Sequence, residues 1–306
     1  MAKQNQMKTA IIGLNRVTER AKFRIQPVHY YSEVPDRVGL VKSTATWNRP
    51  VVPFGLPWDL DAQASWVETV TDGYLDEVLG LASYRELAAR GFGPGYGAIE
   101  SQVLHCAVRH EPPSRIMEIG SGVSTAIMTE AAKRNETEGR GSTAFTCIEP
   151  YPYEALERLD VELIAQPAQL VDPSVFDVLG PGDLLFVDST HTVRTGSEVL
   201  PIYLQILPRL APGVRVHIHD IYLPYLFHPD LFGHLWDWQE TSLLAALLTS
   251  NDHFEVDACL SALFHDRLPA LQASLPDMRP HRMDGGLFVP GDDGDFPSSI
   301  WLRTKG

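Results

Sequence analysis

The chain has 306 residues, of which 44% are hydrophobic and 21% charged, with a formal net charge of −14. That balance excludes wholesale disorder and allows one large core with an appendage, or two modest domains. An acidic surface argues against non-specific binding to nucleic acid or to an anionic membrane.

The N-terminus reads MAKQNQMKTAIIGLNRVTERAKF. Its apolar run AIIGL is too short for a signal-peptide core, and charges follow at once. No apolar run approaches the ~18–20 residues that a membrane span needs. The three cysteines, Cys106, Cys147 and Cys259, are far apart and form no CxxC pair. Reduced thiols and a cytoplasmic location are the expectation.

Residues 1–60 read as irregular and proline-rich. Trp47, Phe54, Trp58 and Trp66 need something to bury against, so this segment is expected to wrap as an arm. A helical pattern runs from Gln63 to Ala89 and ends near Gly91. GFGPGYGAIES (91–101) is a glycine-rich loop, and it feeds a helix over Ile99–Arg109. We place a boundary at 95/96. Residues 1–95 are then an N-terminal arm with a helical segment, and 96–306 a second domain.

After Pro112-Pro113 short apolar runs alternate with helical patterns. Strands are expected at Arg115–Ile119, Ala144–Ile148, Val161–Ala165, Asp183–Val187, Val214–His219, Phe254–Cys259 and Ser298–Arg303. Helices are expected at Ser124–Arg134, Tyr153–Leu159, Ser197–Leu210 and Leu235–Thr249. Continuous apolar strands alternating with helices imply a mostly parallel sheet covered on both faces, a Rossmann-like α/β fold.

The first of these strands ends in EIGSGVST (118–125). In an open α/β sheet, ligands bind beyond the carboxyl ends of the strands. Glycines allow close backbone approach there, and a helix start exposes N–H groups. The pattern is not the dinucleotide GxGxxG, because Thr125 stands in place of the third glycine. Glu118 beside the loop would repel a pyrophosphate and welcome an ammonium or sulfonium group. The second strand ends in IEP (148–150), where Glu149 is placed to accept both hydroxyls of a ribose.

These motifs, together with FVDSTH (186–191) and VHIHDI (216–221), resemble those of class I S-adenosylmethionine-dependent methyltransferases. The closer likeness is to a bacterial group similar to cephalosporin-hydroxylase-like and macrolide-sugar O-methyltransferase-like proteins. The resemblance covers roughly residues 95–303 and implies a seven-stranded sheet. It implies that Gly120 and Gly122 approach the methionine part of S-adenosylmethionine, with Ser121 and Thr125 also among the cofactor-binding residues. Glu118 would lie near the amino group and Glu149 at the ribose. Gln166 or Gln169 would edge the adenine, with Asp188 and Tyr96 also close to the cofactor.

Asp188 and His191 follow the fourth strand, and His219 and Asp220 the fifth. Two readings of this cluster stand. In one, His191 or His219 is the general base that takes a proton from the acceptor, since imidazole titrates near neutral pH. In the other, Asp188, His219 and Asp220 hold a divalent ion, magnesium or manganese, that orients substrate oxygens. Related metal-dependent sugar methyltransferases place an acidic pair after the fifth strand, and His219 replaces the first acid of that pair. His217, two residues back on the same strand face, is expected to be structural.

IYLPYLFHPDLFGHLWDWQE (221–240) reads as a lid over the acceptor pocket, with Tyr222, Tyr225 and Trp236 as candidate substrate contacts. The function expected is methyl transfer to an oxygen or nitrogen of a small molecule, in a protein that binds neither nucleic acid nor membrane and that could self-associate. Two rivals remain: a non-catalytic nucleotide-binding sensor or partner protein, and a nicotinamide oxidoreductase. The sequence does not name the acceptor.

Overall fold

Seven strands form one sheet: β1 (Arg115–Ile119), β2 (Ala144–Ile148), β3 (Glu162–Ile164), β4 (Leu184–Val187), β5 (Arg215–His219), β6 (Phe254–Cys259) and β9 (Ser299–Thr304). A separate two-residue ladder, β7 (Met283–Asp284) with β8 (Leu287–Phe288), makes a small hairpin. The sheet order is β3-β2-β1-β4-β5-β9-β6. The pairs from β3 to β5 are parallel, and β9 runs antiparallel between β5 and β6. The computed structural model describes residues 2–32, 34–78, 85–86, 88–92 and 95–306.

The central strands are apolar along their length because both faces are covered. Ile116, Leu184, Phe186 and Trp301 pack with Leu104, Val108 and Ile127 from helices Ala98–His110 and Val123–Thr137. Met117, Leu185, Val187, Val216 and Ile300 face the opposite way, against Val199, Ile202, Leu244 and Leu248. The fold is thus a mostly parallel, Rossmann-like sheet with helices on both faces, as the resemblance implied. Among the described residues, no helix is long and apolar enough to cross a membrane.

Residues Met1–Asn48 form one compact unit and Arg49–Gly306 another. The boundary read from sequence at 95/96 falls inside the second unit, where Val67 of helix Leu60–Thr71 packs with Ile99 and Val103. Residues 1–60 are less irregular than their composition suggested. Helices cover Ala2–Thr18, Arg37–Lys42 and Thr44–Trp47. The run before Pro27 holds no proline, so nothing in it breaks a helix. Phe54, expected to bury, is exposed, whereas Trp66 packs its ring 5.4 Å from that of Trp301. The expected helix 63–89 instead spans Leu60–Thr71, and Gly73 just beyond its C-cap Asp72 takes a φ of +78° that suits glycine. Residues 79–84 and 87 of that reading lie outside the described residues, as do 93 and 94 of the glycine-rich loop.

A charged network fixes the C-terminal end of helix Ala98–His110. Arg109, buried, reaches both oxygens of Glu77 at 2.8 and 2.9 Å and Glu138 at 2.6 Å. His105 adds a 2.7 Å contact to Glu77. Burial opposes charge on Glu77, but hydrogen bonds from Arg109 and His105 pull its carboxyl down to about 2. Removing one partner of such a pair leaves a charge without compensation. Arg109→Ala is expected to lose about 3 kcal/mol of stability in urea unfolding. A loss below about 1 kcal/mol, the range of exposed pairs, would show the network to be decorative.

Candidate functional site

The site forms where β1, β2, β4 and β5 end side by side. Gly120 has φ +88°, and a Cβ there would lie 1.9 Å from the Asp188 carbonyl oxygen. Only glycine permits that approach. Two backbone hydrogen bonds lock the crossing: Gly120 N–H donates to Ile148 O at 3.0 Å, and Asp188 N–H to Ile119 O at 2.9 Å.

Glu118 does not face the open edge. It is fully buried and accepts from Ser124 Oγ at 2.7 Å, Thr125 Oγ1 at 2.6 Å and Cys147 Sγ at 3.3 Å. Thr125 Oγ1 also accepts from Gly122 N–H at 3.0 Å. Glu118 therefore ties the glycine loop to the start of helix Val123–Thr137. Burial pushes its carboxyl up to about 8, against the hydrogen bonds from Thr125, Ser124 and Cys147.

Glu149 sits at the edge, partly exposed, and accepts from Ser121 N–H at 3.2 Å and Tyr151 N–H at 2.7 Å. Both partners are backbone donors, so each oxygen keeps a free lone pair. Ser121 Oγ and Ser189 Oγ are buried without hydrogen-bond partners among the described residues. Gln166 and Gln169 are exposed beyond β3.

Above β4 and β5 lies a buried cluster of imidazoles and carboxylates. His191 Nε2 stands 3.3 Å from Asp188 Oδ1 and 3.4 Å from Asp220 Oδ2. His219 Nδ1 stands 3.4 Å from Asp188 Oδ1 and 3.6 Å from Asp220 Oδ2. Two further acids back the rings: Glu240 Oε2 lies 2.8 Å from His191 Nδ1, and Glu100 Oε2 3.2 Å from His219 Nε2. Asp220 Oδ1 accepts from Tyr222 Oη at 2.9 Å and Ser298 Oγ at 3.0 Å. His191 and Asp220 both hold positive φ, +56° and +54°. Non-glycine residues in that region are strained and concentrate at functional sites.

The charges in the cluster sustain one another. Burial disfavours charge on His191, but hydrogen bonds to Asp188 and Glu240 and the nearby Asp220 push it up to about 10. Burial likewise opposes charge on His219, and Asp220, Glu100 and Asp188 raise it well above the ordinary imidazole range. Asp188 pays for burial too, yet His219 and His191 hold its carboxyl far below the usual value. His217 differs. Burial and the neighbouring His219 hold it well below the ordinary range, and it stacks on Phe186 at 4.6 Å.

Tyr96 is buried, with its hydroxyl 3.2 Å from His217 Nε2 and its ring 4.8 Å from that of His219. It walls the cluster. The three candidate substrate contacts do not converge. Tyr222 is buried and braces Asp220, Tyr225 packs on His265 at 4.8 Å, and Trp236 is 62% exposed. Trp238 comes closer, its ring 4.8 Å from His191. A groove of about 1280 Å³ lies elsewhere, lined by Asp61, Glu68, Asp72, Asp76 and His110. It sits at the far end of helix Ala98–His110 from Glu100.

Sequence reading missed Glu100, Glu240 and Ser298. Glu100 and Glu240 each open a helix that starts far away in sequence, and no spacing links them to the histidines. Ser298 reaches the site because β9 is antiparallel, so the start of this strand meets the end of β5.

Residues 117–221 match the family described as a methyltransferase domain. An Archaeoglobus fulgidus protein described only as uncharacterized is 40% identical over 75 residues, 23% of this chain and 33% of that one. The chain thus matches about a third of that relative's length. Three solved structures are similar. An SAH-bound methyltransferase from Podospora anserina is 16% identical and covers 92% of this chain and 100% of that one, at a TM-score of 0.36. An O-methyltransferase from Bacillus cereus in complex with SAH is 14% identical over 76% and 91%, at 0.40. The MycE methyltransferase of the mycinamycin biosynthetic pathway, with Mg and SAH, is 19% identical over 45% and 36%, at 0.30. The fold rests on the strand order of the chain itself.

The buried carboxyl of Glu118 sets a pH dependence. The folded protein keeps Glu118 protonated up to about 8, whereas an ordinary glutamate loses its proton near 4.5. Unfolding between those values releases a proton. The stability contributed by the protonated form is complete below the lower value and is lost as pH rises through the upper one, at up to about 1.4 kcal/mol per pH unit. Glu118→Gln should flatten this slope in urea unfolding at pH 5, 6, 7 and 8. An unchanged slope would mean that Glu118 is already ionised in the fold.

Proposed function

We propose, from the methyltransferase domain that residues 117–221 carry, that this protein transfers a methyl group from S-adenosylmethionine to an oxygen or nitrogen of a small-molecule acceptor. The observation that carries the reading is Glu149, a half-exposed carboxylate with free lone pairs beside a glycine loop. A carboxylate at the end of the second strand suits the two hydroxyls of a ribose. The unpartnered hydroxyls of Ser121 and Ser189 add donors at the same edge. S-adenosylmethionine, when bound, supplies a methyl group on a sulfonium sulfur.

The residues then divide the work. Gly120 lets the loop lie against the Asp188 backbone, and Glu118 holds that loop through Ser124 and Thr125. Asp188 and Asp220 present carboxylate oxygens where an acceptor would approach. The net negative field of four carboxylates around two imidazoles favours a sulfonium over a neutral sulfide. Positioning two reactants in line lowers the barrier without further chemistry. The acceptor gains the methyl group as the carbon–sulfur bond breaks, and its proton passes to solvent. His191 and His219, both held towards the imidazolium form by their acids, are poor proton acceptors at neutral pH. The cluster therefore orients and polarises rather than acting as a simple imidazole base.

The test is calorimetry with S-adenosylhomocysteine. Saturable binding with one site per chain is expected. Glu149→Ala should weaken it about 100-fold or more, the worth of two hydrogen bonds to a charged group at about 1.5–3 kcal/mol each. Binding of NAD with none of S-adenosylhomocysteine would favour the oxidoreductase instead.

A further inference from the structure

Of the features left unexplained, what the cluster shows to solvent is the most specific. Its side chains are not equally accessible. His191, His219, Glu240 and Glu100 keep 5% or less of their side-chain surface exposed, whereas Asp188 keeps 25% and Asp220 17%. A molecule entering from solvent therefore meets two carboxylates, with the imidazoles behind them. Among the described residues, every ion pair of the four acids is to one of the two imidazoles, and no lysine or arginine takes part. Four carboxylates against two imidazoles leave a net charge of −2 when both rings are charged and −4 when neither is. The sulfonium of S-adenosylmethionine offsets one of these charges. In either state the acceptor still meets a negative site.

Flat rings wall the same place. Trp238 lies 4.8 Å from His191, and His228 lies 5.2 Å from Trp238 and 5.1 Å from Tyr222, whose hydroxyl donates to Asp220. His234 stacks on His228 at 4.3 Å. Burial and the adjacent His234 hold His228 down to about 4, so at neutral pH it is an uncharged aromatic face. Trp238 and His228 are both half-buried, so part of each ring stays open. His219 Nδ1, buried, sits 3.4 and 3.6 Å from Asp188 and Asp220 with no hydrogen-bond partner among the described residues. The polar groups here are thus not closed on one another. Carboxylates beside aromatic faces suit an organic ammonium, whose N–H groups donate to the oxygens and whose charge is drawn to the rings.

We propose that the methyl acceptor is a small organic amine, bound as its ammonium ion between the carboxylates of Asp188 and Asp220 and the rings of Trp238 and His228, and that its nitrogen is the atom methylated. This rests on the methyl-transfer reading and narrows it from oxygen or nitrogen to nitrogen. Trp238 and His228 take the place of Tyr225 and Trp236 as acceptor contacts. The step balances with one proton released. The bound ammonium gives a proton to water, and the freed lone pair attacks the methyl carbon. The electron pair of the carbon–sulfur bond stays on sulfur. S-adenosylhomocysteine and an N-methylammonium ion are left.

Calorimetry on the full-length protein with three matched probes tests this: benzylamine, benzyl alcohol and benzoate, each titrated with and without saturating S-adenosylhomocysteine. Benzylamine is expected to bind at one site per chain, benzyl alcohol about 10-fold more weakly, and benzoate not at all. Asp220→Asn removes a charge and keeps the shape, and asparagine tolerates the positive φ at this position. It should weaken benzylamine about 10-fold and close the gap to the alcohol. Trp238→Leu should weaken benzylamine about 3- to 30-fold. Methyl-labelled S-adenosylmethionine should pass its label to the nitrogen of benzylamine and none to benzyl alcohol. The proposal is overturned by an amine that does not bind or takes no label, by an alcohol or benzoate that binds as tightly, or by an Asp220→Asn protein that keeps the full preference. Should S-adenosylhomocysteine fail to bind while benzylamine binds, the methyl-transfer reading falls and the ammonium site stands. Should S-adenosylhomocysteine bind while benzylamine does not, only this proposal falls.

Discussion

Everything at the ligand edge hangs on the contact between the Gly120 backbone and the Asp188 carbonyl. A side chain at Gly120 would meet that oxygen at 1.9 Å, so the loop after β1 can press against the end of β4 only through glycine. This close approach sets the height of the glycine loop above the sheet. It also fixes the point from which Asp188 reaches His191 and His219. One backbone constraint thus couples the half of the site that suits a nucleoside to the half that carries the charges.

The second half concentrates buried charge. Four carboxylates and two imidazoles share a small volume, and such groups are tolerated in a core only when each is compensated. Here the compensation is mutual. Asp188 is shared by both rings, Asp220 is shared by the same rings and held by Tyr222 and Ser298, and Glu240 and Glu100 close the outer ends. A protein that needed only a stable strand end would place apolar groups there. The expense is understandable if the cluster acts on a ligand. Its charges and its strained backbone lie at the sheet edge where this architecture binds ligands.

Much of this was legible in the sequence, for identifiable reasons. Strand and helix alternation from Arg115 onward gave the sheet because continuous apolar runs can only be buried on both faces. The four strand-end motifs predict one shared edge, and the order β2-β1-β4-β5 brings those strand ends together. What escaped were contacts made across long separations. Glu100 is 119 residues from His219, and Glu240 is 49 from His191, with no periodicity to connect them. Burial direction escaped too. Glu118 reads as a ligand-facing acid beside glycines, yet β1 turns it towards Ser124 and Thr125. Tyr222 reads as a pocket aromatic, yet its hydroxyl braces Asp220. The N-terminal helices were hidden by composition, since aromatics and prolines drew the reading away from a proline-free stretch.

A crystal structure of the protein with S-adenosylhomocysteine bears most directly on the central claim, that the strand ends form a methyl-transfer site. The ligand is expected over Gly120–Gly122, with its ribose hydroxyls on Glu149 and its sulfur facing Asp188. Occupation of another surface, or a ribose away from Glu149, would contradict it.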